Sequence, residues 1–158
     1  MQVFRLIIGV FAILIFTKIG VNKSKIHEQI YIYYSDLCIF CNYYISELKF
    51  SKQQLKTLLN KEYASSEFLL TLNSFFSKKN NESQYFPLFL SEVERNKLNS
   101  FFNIIGKGDS ESQKGLITSF LEDFTNLKNL KYNELTKYKS FYKKLGFYVG
   151  LIMLIMVV

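Results

Sequence analysis

The stretch VFRLIIGVFAILIFTKIGV, residues 3–21, decides how the chain is read, and LGFYVGLIMLIMVV, residues 145–158, matches it at the far end. A helix rises about 1.5 Å per residue, so the first stretch covers about 28 Å, close to the ~30 Å hydrocarbon core of a bilayer. The second covers about 21 Å by the same rise and reaches that thickness only with Phe141 and Tyr142 added and Lys143 and Lys144 snorkelling outward. On this reading residues 1–21 form an N-terminal transmembrane helix, residues 145–158 a C-terminal one, and residues 22–144 a single domain between them. A cleaved signal peptide is the alternative for the first stretch, since Arg5 precedes an apolar run from Leu6 to Phe16. Thr17 and Lys18 stand where small cleavage-site residues belong, and hydrophobicity resumes at Ile19 and Val21, which favours retention.

Positive charge orients the pair, because Lys and Arg beside a span resist translocation. Lys18, Lys23 and Lys25 follow the first apolar stretch and Lys137, Lys139, Lys143 and Lys144 precede the second, against Arg5 alone on the outer side. The middle domain is therefore expected in the cytoplasm. The net charge of +7 comes from 20 basic residues, almost all Lys, mixed with 13 acids and following no nucleic-acid motif, which reads as a solvated surface. The run from Lys128 to Lys144 is the exception: six lysines meet only Glu134, an arrangement suited to anionic lipid headgroups.

Catalytic and metal chemistry find little to work with. Cys38 and Cys41, in CIFC, have redox or half-zinc spacing, but there is no second Cys pair and His27 is the only histidine. Three residues apart on a helix, the two thiols share a face and read as core packing. Gly106-Lys107-Gly108 hints at a phosphate loop, yet Phe101 holds the earlier glycine position and Gly108 replaces the Ser/Thr. No nucleophile has a base within a readable motif, so neither an enzyme nor a cofactor is expected.

Apolar residues between the two ends recur at helical spacing and only Pro87 interrupts, so the fold class expected is all-α: a cytoplasmic helical bundle bracketed by transmembrane helices. From His27 to Leu48 one face carries Ile30, Tyr34, Leu37, Cys41, Tyr44, Ile45 and Leu48, and further aromatics make this helix apolar nearly all round, so it is expected at the centre of the bundle or paired with another chain. Ser51 with Gln54 resembles a capping box, Ser65 or Ser66 can cap a helix carrying Phe68, Leu69, Leu72, Phe75 and Phe76, and Lys78 to Gln84 reads as a loop. Ser91 and Glu94 form a second capping box before Val93, Leu98, Phe101, Phe102 and Ile105, and Gly106 supplies the stop. Asp109 or Ser110 then caps a last helix, with Gln113 three residues after Ser110. Nothing breaks that helix before Val158, so it is expected to run into the membrane along a stripe of Ile117, Phe120, Leu121, Phe124, Leu127 and Leu130, continuing through Leu135, Tyr138 and Tyr142. Gly146 and Gly150 form G-x-x-x-G, which admits close approach of another helix.

This order resembles the stage III sporulation protein AB family of endospore-forming bacteria. RLIIGVFAILIFTKIG, from Arg5 to Gly20 with Gly9 and Gly20, is similar to that family's opening span, and YYISELKFS, from Tyr43 to Ser51, to its first cytoplasmic helix. IGKGDSESQ matches its pattern of glycine, two residues, aspartate, three residues, glutamine at Gly106, Asp109 and Gln113, and YKKLGFYVGLIMLIMVV its closing segment, with Leu145, Gly146 and Gly150 in place. The chain departs from the family in having no tryptophan and in reading SKQQL, residues 51–55, where Pro-Leu is usual. The resemblance implies a noncatalytic platform in the outer forespore membrane, its domain facing the mother-cell cytoplasm, similar to inner-membrane platform proteins of type II secretion and type IV pilus machines. It also implies a secretion-type ATPase, stage III sporulation protein AA, and other stage III sporulation membrane proteins as partners. Gly106, Asp109 and Gln113 are then expected to set a turn or a partner contact, and Gly146 and Gly150 the membrane-helix packing. The competing reading is a membrane-tethered scaffold that associates with itself or binds anionic lipid.

Overall fold

One helix, α1 (Gln2–Leu48), joins the apolar N-terminal stretch to the aromatic segment after it without a break. The junction Asn22-Lys23-Ser24-Lys25 holds neither Gly nor Pro, so nothing in it ends a helix. In this computed structural model the described residues are 2–48, 65–77 and 84–157; within the helices the side chains of 2–9, 12, 13, 16, 17, 19–21, 23, 153, 154, 156 and 157 lie outside the description. The helices that follow are α2 (Ser66–Ser77), α3 (Glu92–Ile104) and α4 (Ser110–Val157), and no strand occurs among the described residues. The expected Ser51 capping box and most of the Lys78 to Gln84 loop fall outside the described residues.

The chain divides into two compact units, residues 30–129 and, from its two ends, residues 1–29 with 130–158. In the first, α1 supplies the middle of the core: Ile30, Tyr33, Tyr34, Leu37, Cys38, Phe40, Cys41 and Tyr44 are buried, and only an edge through Ile39 and Tyr43 faces outward. Phe68 and Leu72 of α2, Leu98, Phe101 and Phe102 of α3, and Ile117 and Phe124 of α4 close around it. Aromatic rings meet edge to face, as at Phe101–Phe124 (5.1 Å, 87°) and Tyr33–Phe68 (5.4 Å, 83°), the geometry their quadrupoles favour.

Each of the three later helices is tied at its start to a side chain of α1. Asp36, 2% exposed, accepts the backbone N–H of Ser65 at 3.0 Å, and the Ser65 hydroxyl in turn accepts the Phe68 N–H as the cap of α2. Ser91 and Glu94 form the expected capping box of α3, the Ser91 N–H donating to Glu94 Oε2 at 2.9 Å. Burial and the same Glu94 carboxylate, to which its hydroxyl is hydrogen-bonded, push the Tyr34 phenol far above its ordinary range. The third tie, at α4, belongs to the site described below.

Two expected core positions are exposed instead. Val93 is 79% exposed and Leu130 57%. At 100° per residue Val93 stands roughly 130° from the mean direction of Leu98, Phe101, Phe102 and Ile105, and Leu130 roughly 115° from that of the α4 stripe. Lys128 and Lys131 occupy the stripe there and are half-buried.

In the unit formed by the ends, His27 stacks on Tyr138 (4.3 Å between centroids, 17°), and Ser24 and Leu135 are buried. Among the described residues no helix is long and apolar enough to cross a membrane. The expected span at residues 3–21 falls mostly, and that at 145–158 partly, on side chains outside the description.

Phe101→Ala should cost about 3–5 kcal/mol, the usual cost of removing a buried aromatic side chain, read as a lower midpoint in urea. An unchanged midpoint would show that the ring is not in the core.

Candidate functional site

The turn between α3 and α4 is built from backbone that only glycine adopts without strain. Ile105 N–H still donates to Phe101 O at 3.3 Å; Gly106 then takes φ +81° and Gly108 φ +102°, reversing the chain within a few residues. A Cβ at either position meets nothing within 4 Å, so the requirement is conformational rather than one of space. Asp109 restarts the helix: its Oδ2 accepts the Ser112 N–H at 3.0 Å, and its C=O accepts the Gln113 N–H at 3.0 Å. Hydrogen bonds from the Ser112 backbone and side chain hold the Asp109 carboxyl below its ordinary value of 3.8.

Gln113 does not close a capping box with Ser110. It is 3% exposed, and its Oε1 accepts the Tyr44 hydroxyl at 2.5 Å. The same hydroxyl accepts the Gly106 N–H at 3.2 Å. The phenol thus bridges both sides of the turn, joining Gly106 to Gln113 through a side chain of α1. Burial raises the Tyr44 pKa, an effect the Gly106 N–H partly offsets. The sequence places Tyr44 on the buried face of α1 without this role; the one signal is its hydroxyl, shared on that face only with Tyr34. Asp109 and Gly106 remain exposed at the rim of the turn.

Gly146 and Gly150 are buried, whereas Gly115 on the same helix is exposed. The unit that holds them contains one other segment, the first part of α1. Cys38 and Cys41 are free thiols in the core; Cys38 Sγ lies 3.8 Å from Thr125 Oγ1, and burial raises the pKa of both, which suppresses thiolate chemistry. Among the described residues no group of three or more His, Cys, Asp or Glu side chains is placed to hold a metal.

The family model for stage III sporulation protein AB matches residues 71–158, from the middle of α2 through the glycine turn to the end of α4. The chain belongs to the stage III sporulation protein AB family. A role in stage III sporulation follows from that membership. The matched stretch contains Gly106, Asp109, Gln113, Gly146 and Gly150, while Tyr44, which ties the turn together, lies outside it. No curated protein and no solved structure matches the chain.

Tyr44→Phe leaves Gly106 N–H and Gln113 Oε1 without their shared partner and should cost ~1–3 kcal/mol in urea unfolding. Adding Gln113→Leu should cost less than the sum of the two single changes, because the pair is coupled. Asp109 gives a pH signature. Its folded pKa is lowered, so its contribution to stability is complete above the ordinary value of 3.8 and is lost as pH falls through the lowered one. Asp109→Asn keeps an acceptor at the cap and should remove that part of the acid-side loss, measured as thermal midpoints across pH 2–5.

Proposed function

We propose that the chain is a noncatalytic membrane platform in the stage III sporulation complex, docking a secretion-type ATPase to the membrane assembly. The observation that carries this reading is the unit formed by the two ends. Val10, Phe11, Leu14 and Ile15 on α1 and Phe147, Tyr148, Ile152 and Ile155 on α4 are all exposed there, a concentration of apolar surface that water does not favour and lipid does. Residues 1–21 and 145–158 then enter the bilayer, and the bundle between them is the block that meets the ATPase. The lysines beside both apolar stretches favour the cytoplasmic side for that block, which in a sporulating cell is the mother-cell side of the outer forespore membrane.

The work proposed is positioning. The core thiols are suppressed and the described carboxylates hold helix starts or lie at the surface, so the described side chains offer mechanical connections between helices rather than a reaction centre. Asp109 is the exposed acid of the turn, beside the exposed Lys107, and is proposed as its contact with the partner. Gly146 and Gly150 are buried in a unit whose other segment is the first part of α1, which supports close helix approach within one chain over pairing of those glycines between copies.

Affinity capture of the full chain from sporulating cells should bring down stage III sporulation protein AA, and Asp109→Ala should weaken that capture while the protein still folds. Recovery of further copies of the chain alone would favour the self-associating scaffold and contradict the platform.

A further inference from the structure

Charge is divided between the two units far more sharply than the overall composition suggests. Residues 30–129 contain 11 basic and 11 acidic residues, so the bundle is neutral. The unit made of residues 1–29 and 130–158 contains nine basic residues and two acids, Glu28 and Glu134, and carries the whole net charge of +7. Glu134 is occupied: it lies 3.7 Å from Lys131. Lys137, Lys139, Lys143 and Lys144 are exposed and form no ion pair among the described residues.

These four ammonium groups sit on eight consecutive residues of α4, an axial rise of about 10 Å, and α4 becomes continuously apolar at Leu145. Spaced at 100° per residue they do not form one stripe but spread over nearly half the circumference. Phe141, between them, and Phe147 and Tyr148, just beyond, are exposed as well. The amphipathic ring of Tyr148 is suited to the boundary between headgroups and chains, Phe141 and Phe147 add apolar area beside it, and lysine stems reach past apolar surface to present charge there.

We infer that this lysine collar is a binding site for anionic phospholipid headgroups, preferring them over zwitterionic ones. Orienting a span requires only that positive charge be retained on one side; the unpaired lysines, the single occupied acid beside them and the aromatic rings at the same level form a surface complementary to phosphodiester charge. The occupant is lipid rather than free phosphate, because the exposed rings add acyl-chain contact that an inorganic anion cannot use. The inference rests on the membrane reading above.

The test uses the full chain reconstituted into phosphatidylcholine vesicles containing a minor fraction of spin-labelled phosphatidylglycerol or spin-labelled phosphatidylcholine. Flotation comes first: a chain that floats with neither vesicle overturns both the membrane reading and this site. For a chain that floats, the spin-label spectra should show phosphatidylglycerol associating several-fold more strongly than phosphatidylcholine, with the preference falling as sodium chloride is raised and phosphate acting no better than chloride at equal ionic strength. Lys137→Gln, Lys139→Gln, Lys143→Gln and Lys144→Gln together should abolish the preference while flotation and helical circular dichroism persist. Equal association of the two lipids, specific displacement by phosphate, or a preference that survives the fourfold substitution overturns the site and leaves the membrane reading standing.

Discussion

Enclosure of α1 between Ile30 and Tyr44 is the constraint on which the bundle depends. A helix buried on all but one edge has almost no place for a polar side chain unless that atom has a partner, since an unmade buried hydrogen bond costs about 1–3 kcal/mol. Asp36, Tyr34 and Tyr44 each meet that demand in the same way, by engaging the start of another helix: the Ser65 N–H, the Glu94 carboxylate and the pair Gly106 and Gln113. Polar atoms that would destabilise a core helix instead fix where α2, α3 and α4 begin. The aromatic side chains of the same helix fill the space between them.

That construction is consistent with the platform proposed above, which would have to hold its shape between a partner and a membrane. A platform passes force or position between a partner and a membrane, and helices tied at their starts to one central rod resist sliding past each other more than helices held by nonspecific packing. The turn at Gly106 to Asp109 is held on its interior side by Tyr44 and Gln113, and on its outer side the Asp109 carboxylate is exposed, as the proposed partner contact requires. The neutral bundle and the basic end unit match the division between protein contact and lipid contact that the proposed role requires.

The parts legible in sequence were those decided within a few residues. The Ser91–Glu94 box, the Ser65 and Asp109 caps and the glycine stop each follow from orphan amides and local backbone conformation, and all are present. The central position of α1, one of two placements open to a helix apolar nearly all round, is the one taken. Contacts across many residues left no such mark: Tyr44 and Gln113 are 69 positions apart, and no local rule tells a glutamine near a helix start to ignore its own cap and turn inward. Leu130 misled for a related reason. It follows Leu127 by three residues, but at 100° per residue the stripe passes instead through Lys128 and Lys131, which are half-buried. The family resemblance at the turn and the closing segment is matched by the family model over residues 71–158.

Cys38 and Cys41 are native probes of the central claim, because they lie on the enclosed part of α1 at 5% and 0% exposure and the chain has no other cysteine. Reaction of the full chain with a water-soluble maleimide at neutral pH, followed by mass spectrometry before and after denaturation, measures that enclosure directly. The account predicts no label on either thiol in the native protein and two labels after unfolding; rapid double labelling under native conditions would contradict it.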